Sequence, residues 1–240
     1  MLEKPNLKDE KIVTCLQNEY GLTIVQIAFL PLGADLNTAL YRVVANDEKP
    51  YFCKLRRGNF DEAAVAVPKF LGDLGIKQVI PPLTTQTGNL RANLGPFKMS
   101  LYPFIEGHNG FEVNLSDQHW VEFGNALKSF HIAAIPPSIT HSTRRETYSP
   151  KWREIVKSFL ARIDGETFKE PIALELAAFL KTKRDETLSL VGRAERLALA
   201  LQAQDPKFIF CHADIHAGNL LIGNNDELFM VDWDTLIFAP

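Results

Sequence analysis

The sequence predicts an α+β chain in two parts, a sheet-rich first part over residues 1–105 and a helical second part over 106–240. Three observations carry this reading. Runs of β-branched and aromatic residues, broken by turn residues, fill the first hundred positions. Helical periodicity with recognisable caps fills most of the remainder. The changeover falls in the short polar segment "EGHNG", Glu106–Gly110.

The elements follow in order. "LKDEKIVTCLQNEYG" has apolar residues at helical spacing and stops at Gly21. "TIVQIAFLPLG" and "ALYRVVAND" read as the strands of a hairpin joined through "GADLNT", and "YFCKLRR" is the next strand after the turn "NDEKP". "FDEAAVAVPKFLGDLG" is helical in pattern, and Pro68 is expected to start or kink a turn there. "IPPLTTQTGNLRANLGPFKMSLYPFI" reads as two more strands around a Gly/Asn turn. Beyond residue 106, Ser116 is a good N-cap for an amphipathic helix that ends at Pro136–Pro137. Ser149 caps another helix, with Pro150 at its first position. The stretch from Pro171 to Gln204 is helical for most of its length, and its Leu and Ala stripe from Ile172 to Leu201 is expected to face the core. Trp152 is expected to pack, and "THSTRRET" to form a solvated loop. The chain closes with "FIF", the polar run "CHADIHAGN", "LLIG", the turn "NND" and "ELFMVDWD", a further hairpin.

Composition excludes several classes of function. Of 240 residues, 46% are hydrophobic and 23% charged, as in ordinary globular proteins. A net charge of −3 gives no electrostatic case for nucleic acid or an anionic membrane. No apolar run approaches the roughly 20 residues that span a bilayer. The polar N-terminus lacks the apolar segment of a signal peptide, so a cytoplasmic location is expected. Cys15, Cys53 and Cys211 are odd in number and far apart, and read as reduced thiols rather than a disulfide framework or a zinc site.

The chemistry is concentrated near the C-terminus. His212, Asp214 and Asn219, followed by Asp232 after a short hairpin, have a spacing that suits phosphoryl transfer. A carboxylate must orient and deprotonate the attacking hydroxyl, a role for Asp214. Oxygen ligands must hold Mg²⁺ against nucleotide phosphates, a role for Asn219 and Asp232. As an isolated spacing, Asp to Asn is an ordinary polar turn. It gains meaning from Asp232 and Asp234 downstream and from Lys54 in a strand upstream.

"HADIHAGN" with "VDWD" resembles the catalytic loop and metal-binding segment of the aminoglycoside phosphotransferase and choline kinase group. These are relatives of the protein kinases, which carry H-R-D and D-F-G segments in the same order. Gly218 before Asn219 and the Asp-Trp-Asp triplet favour the small-molecule kinases. "FLPLGADLNTALYRV" resembles the nucleotide-covering hairpin, "YFCKL" the strand with the nucleotide lysine, and "LYPFIEGHNGF" the hinge. With "YSPKWREIV", the pattern most resembles the spectinomycin phosphotransferase branch.

The resemblance implies a protein-kinase-like fold of two lobes, with ATP and Mg²⁺ between them. It implies that Lys54 contacts the α- and β-phosphates, paired with Glu62 or its neighbour Asp61. Gly33 would lie in the nucleotide-covering loop, which carries one glycine rather than G-x-G-x-x-G. Backbone groups at Pro103, Phe104 and Ile105 would hold adenine. His212 would brace the catalytic loop, and Asp234 would support the metal or the loop. The expected reaction is ATP-dependent phosphorylation of a hydroxyl on an aminocyclitol or aminoglycoside antibiotic, spectinomycin first, giving resistance. The alternatives are a kinase for choline, homoserine or a sugar, and an inert nucleotide-binding module. His108, Asn109 and Phe111 stand at the expected mouth of the cleft, and His216 stands in the catalytic loop as a substrate neighbour or a solvated residue. The chain stops six residues after Asp234, where such relatives continue with further helices, so the second lobe is expected to be incomplete.

Overall fold

The computed structural model describes residues 3–33, 35–141, 143–204 and 206–240. They fall into two compact units, one of residues up to 144 together with 209–238, the other of residues 145–208 with 239–240. The first unit opens with α1 (Asp9–Tyr20), which buries Ile12, Cys15 and Leu16 along one stripe. Gly21 closes it in the left-handed region at φ +70°, where a side chain would also collide with Gln86. β1 (Ile24–Leu30), β2 (Thr38–Ala45) and β3 (Pro50–Arg57) follow as an antiparallel meander. After α2 (Ala63–Asp73) come β4 (Ala92–Leu94) and β5 (Phe97–Pro103), which complete a five-stranded sheet in the order β1-β2-β3-β5-β4. The β4–β5 turn is Gly95–Pro96, with Gly95 at φ +57°, while Gly88 and Asn89 make a separate turn on Thr85.

Strand alternation decides what this sheet offers. Ala39, Tyr41, Val43, Cys53, Leu55, Met99 and Leu101 point to one face and bury against α1. The opposite face of β3 therefore presents Lys54 and Arg56, which pair in register with Leu40 and Thr38 of β2.

Pro68 neither starts nor ends α2 but lies inside it and is buried. A proline there removes one helical hydrogen bond, a cost of about 3 kcal/mol. Burial of Val65, Val67, Pro68 and Leu71 on the same helix offsets that loss.

β6 (Gly107–Asn109) comes next, then α3 (Asp117–Ile132) and the single turn α4 (Pro137–Thr140). The start of α3 is a reciprocal cap. Ser116 Oγ accepts from the His119 N–H, and His119 Nδ1 accepts from the Ser116 N–H. The other ring nitrogen, Nε2, then carries the proton and donates to the Asp226 carbonyl at 3.0 Å. The "THSTRRET" segment is more than a solvated loop, because Thr143 is buried and Arg144 donates to the Thr235 carbonyl.

The second unit is helical, with α5 (Lys151–Gly165), α6 (Pro171–Thr182) and α7 (Arg184–Gln202) packed on one another. Its small core is Leu160, Ile163 and Ala177. The Ser149 hydroxyl accepts from the Lys151 N–H, and the Glu170 carboxylate accepts from the N–H groups of Ile172 and Ala173. The stretch from Pro171 to Gln204 divides into two helices at Lys183. Only part of its apolar stripe faces a core. Ala177, Val191 and Ala198 are buried, whereas Ile172, Leu174, Phe179, Leu190, Leu197 and Leu199 are exposed. Each helix of a three-helix group buries one face, and these two carry apolar residues on more than one. Trp152 likewise stays exposed, with the Lys151 ammonium 5.1 Å from its ring. No helix among the described residues is long and apolar enough to cross a membrane.

The chain returns to the first unit as β7 (Ile209–Cys211), β8 (Leu220–Gly223), β9 (Leu228–Met230) and β10 (Ile237–Ala239). β8 and β9 form a hairpin, β6 adds to the free side of β8, and β7 pairs with β10. Phe210, Leu220, Met230, Trp233 and Leu236 join Val67 and Leu71 of α2 and Ala126 and Phe130 of α3 in a second apolar cluster. Cys15 and Cys53 are buried and Cys211 is half-buried.

β6 passes so close to β8 that a Cβ on Gly107 would stand 2.1 Å from the Ile222 carbonyl oxygen. Gly107→Ala is expected to cost about 1–3 kcal/mol by forcing the two strands apart. Thermal unfolding would show it as a midpoint lowered by roughly 2–4 °C per kcal/mol.

Candidate active site

The β8–β9 hairpin places two polar segments side by side, residues 212–219 before it and 231–234 after it. His212 is buried between them. Its Nε2 donates to the Val231 carbonyl at 2.9 Å, its ring lies 4.7 Å from that of Trp233, and its own carbonyl accepts from Thr235 Oγ1 at 2.8 Å. Burial holds its pKa below the ordinary histidine value, so the ring stays neutral and structural. A second link runs through the backbone, from the Val231 N–H to the Asn219 carbonyl at 3.0 Å.

Asp214 is half-exposed at the tip of this arrangement. Asn219 Nδ2 donates to the Asp214 carbonyl at 2.8 Å and sits 3.4 Å from its carboxylate Oδ2. With the amide nitrogen so engaged, the Asn219 side-chain oxygen is directed away from Asp214. Asp232, one residue past the Val231 link, has φ +61°. Ala213, one residue before Asp214, has φ +64°. Two non-glycine residues in the left-handed region beside the key carboxylates mark a backbone held in an unusual shape.

Lys54 reaches across from β3. Its Nζ lies 3.0 Å from Asp232 Oδ1 and 2.9 Å from Asp234 Oδ2, with its side chain only 15% exposed. Burial works against the ammonium charge, but the Asp234 and Asp232 carboxylates outweigh it and hold the pKa above the ordinary lysine value. The Tyr102 phenol, on β5, is pushed up by burial and then by the same two carboxylates. Asp234 Oδ2 takes a second cation, Arg56 Nη1, at 2.8 Å. That guanidinium also touches Asp35 Oδ2 at 2.9 Å and Thr38 Oγ1 at 3.3 Å, and its Nε donates to the Asn59 carbonyl at 3.1 Å.

Lys54, Asp214, Asn219, Asp232, Asp234 and His212 thus come together, and Glu62 does not join them. Its carboxylate accepts from Arg91 Nε at 2.6 Å. Asp61 is also occupied elsewhere, capping α2 through the Ala63 N–H at 3.0 Å. The partner of Lys54 is the Asp232–Asp234 pair. Gly33, at φ +82°, turns the β1–β2 connection. Pro103 ends β5 and has no N–H to give, and the Phe104 N–H goes to the Pro50 carbonyl at 3.3 Å. The Phe104 ring lies under the Arg42 guanidinium, 5.1 Å from its centroid. Ile105 is the third residue of this connection.

On the other side of Asp214, His216 Nδ1 accepts from the Gly218 N–H at 3.0 Å, and its Nε2 stands 4.0 Å from Asp214 Oδ1. Phe111 stacks on that ring, with centroids 5.8 Å apart. A side chain at Gly218 would collide with both. His108 and Asn109 are engaged locally, with Glu112 and the Phe111 N–H respectively. Sequence reading passed over Arg56 and Asp35. The signal for Arg56 was present, since residues two apart on a strand share a face and Lys54 had been singled out.

A family model described as "Phosphotransferase enzyme family" matches residues 29–240. Among solved structures, the chain is similar to spectinomycin phosphotransferase APH(9)-Ia in complex with ADP and spectinomycin, at 34% identity and a TM-score of 0.86, over 98% of this chain and 71% of that one. The AMP-bound complex of that enzyme matches at 33% identity and a TM-score of 0.81, over 96% and 71%. An aminoglycoside phosphotransferase from Alicyclobacillus acidocaldarius shares the fold, at 16% identity and a TM-score of 0.58, over 99% and 69%. No curated protein sequence matches significantly.

The pairing pattern separates two acidic residues by their effect on stability. Glu62→Gln, which breaks an exposed ion pair, is expected to change stability by less than about 1 kcal/mol. Asp234→Ala leaves two cations without their shared carboxylate and is expected to cost about 1–3 kcal/mol. Denaturant unfolding of the two variants beside the wild type measures the difference.

Proposed function

Because the chain belongs to the phosphotransferase enzyme family, with its protein-kinase-like fold and a hydroxyl as phosphoryl acceptor, we propose that it uses ATP to phosphorylate a hydroxyl of an aminocyclitol antibiotic, spectinomycin first. The observation that carries the chemistry is the convergence of Asp214, Asn219, Asp232 and Lys54 at one end of the β8–β9 hairpin. The similarity at 34% identity to an enzyme solved with ADP and spectinomycin supports the choice of acceptor.

Each side chain has a part in this reading. Asp214, aligned by Asn219 Nδ2, orients the acceptor hydroxyl and takes its proton as the oxygen attacks phosphorus. The Asn219 side-chain oxygen and the Asp232 carboxylate are hard oxygen donors on neighbouring segments. They suit Mg²⁺, which takes few protein ligands and fills its octahedron with phosphate and water. When bound, Mg²⁺ supplies neutralisation of the charge shared by the transferring and leaving phosphates. Lys54 turns from the aspartates to the nucleotide phosphates. His212, its pKa lowered by burial, keeps the two segments in register. The Ile105 N–H is the donor that Pro103 and Phe104 leave for the adenine edge. A phosphate on the drug would add charge and bulk where ribosomal contacts form, so the outcome for the cell is resistance.

Incubation with ATP, Mg²⁺ and a panel of spectinomycin, aminoglycosides, choline, homoserine and sugars tests the reading by mass spectrometry of the product. Spectinomycin phosphate is the expected product. Transfer to another member of the panel alone would replace the acceptor, and nucleotide binding with no transfer would favour an inert module. Asp214→Asn is expected to lower kcat by about 10²–10⁴-fold with the ATP KM within about threefold. Near-normal turnover in that variant would remove the general-base assignment.

A further inference from the structure

Lys54 cannot serve two partners at full strength. In the structure its ammonium neutralises Asp232 and Asp234 together. In the reaction proposed above it must turn to the nucleotide phosphates. Asp234 is then left as a carboxylate only 22% exposed, two residues from Asp232. An unpaired carboxylate in that position would repel Asp232 or draw Lys54 back.

Arg56 is the residue that can prevent this. Its Nη1 is 2.8 Å from the same Asp234 oxygen that Lys54 contacts. Its remaining contacts, with Asp35, Thr38 and the Asn59 carbonyl, come from the start of β2, the loop just before it and the loop that follows β3. They hold the guanidinium in place whatever Lys54 does. A lysine could not make this set of contacts, because they need the planar fork of donors that arginine carries.

We propose that Arg56 is a positioning residue: it keeps Asp234 neutralised, and so holds Asp232 in its metal-facing place, once Lys54 has moved to the phosphates. The role rests on the nucleotide- and metal-binding half of the reading proposed above, not on transfer to an acceptor. It acts through Asp234 and not by touching nucleotide. It predicts that loss of Arg56 weakens binding of the metal–nucleotide complex and spares binding of the metal-free nucleotide.

Calorimetric titration of the full chain with ADP in EDTA and with ADP in excess Mg²⁺ provides the test. Arg56→Gln is expected to weaken MgADP by about 10–100-fold, the usual cost of losing a residue that orients a metal ligand. ADP alone should change by no more than about threefold. The double variant Arg56→Gln/Asp234→Asn should bind MgADP no more weakly than the weaker single variant, since both act at one contact. Equal weakening of ADP and MgADP would overturn the proposal, because it would mean direct contact with phosphate. Wild-type affinity for MgADP in the variant would overturn it equally. If Arg56→Gln fails to fold, Arg56→Lys keeps the charge, loses the fork and carries the same measurement. A selective loss of MgADP in a chain that phosphorylates no acceptor would sink the kinase reading and leave the positioning role standing. Wild-type chain that binds neither ligand would sink both.

Discussion

One carboxylate oxygen, Oδ2 of Asp234, joins parts of the chain that are 178 residues apart. It accepts from Arg56 and lies against the Lys54 ammonium, both on β3. The position of those two cations is fixed by what lies on the other side of the same strand. Cys53 and Leu55 are fully buried among Tyr41, Met99 and Leu101, and this pins the register of β3. A slip by one residue would send Lys54 into the core and Leu55 into the site. The electrostatics of the site thus depend on an apolar cluster that no substrate touches.

The β8–β9 hairpin does the complementary work. Its strands are short, three or four residues each, and Leu220 and Met230 hold them in the apolar cluster with α2 and α3. What the hairpin delivers is a fixed offset between two loops. The His212–Val231 and Asn219–Val231 hydrogen bonds then lock that offset from both sides. Both bonds use the backbone of Val231, so the aspartate that follows it has little freedom. An imidazole and backbone groups do the bracing, while the charged side chains Lys54, Asp232 and Asp234 pair with one another beside the two loops.

Much of this was legible from residues alone. β2 could be read because every second residue is apolar and buried. The start of α3 could be read from Ser116, and the grouping of Asp214, Asn219 and Asp232 from a short hairpin between two polar runs. β6 could not be read from its own residues. Gly-His-Asn has no strand preference, and it is extended because β8 accepts it as a neighbour. The partner of Glu62 was hidden for a similar reason. Its distance to Lys54 along the chain says nothing of Arg91, which arrives from the start of the β4–β5 hairpin. The apolar stripe on α6 and α7 was visible, but periodicity reports a face and not what covers it.

The left-handed backbone at Ala213 has a consequence for how this loop can change. An alanine there carries about 1–2 kcal/mol of conformational strain that glycine would not. Glycine would return about 0.5–1 kcal/mol of that gain as extra freedom in the unfolded chain. Glycine would therefore keep a net advantage of less than about 1.5 kcal/mol. The two residues also differ in how sharply they define the path of the backbone into Asp214. Alanine trades relaxed geometry for a narrower range of shapes, and that places rigidity one residue before the carboxylate whose direction matters most.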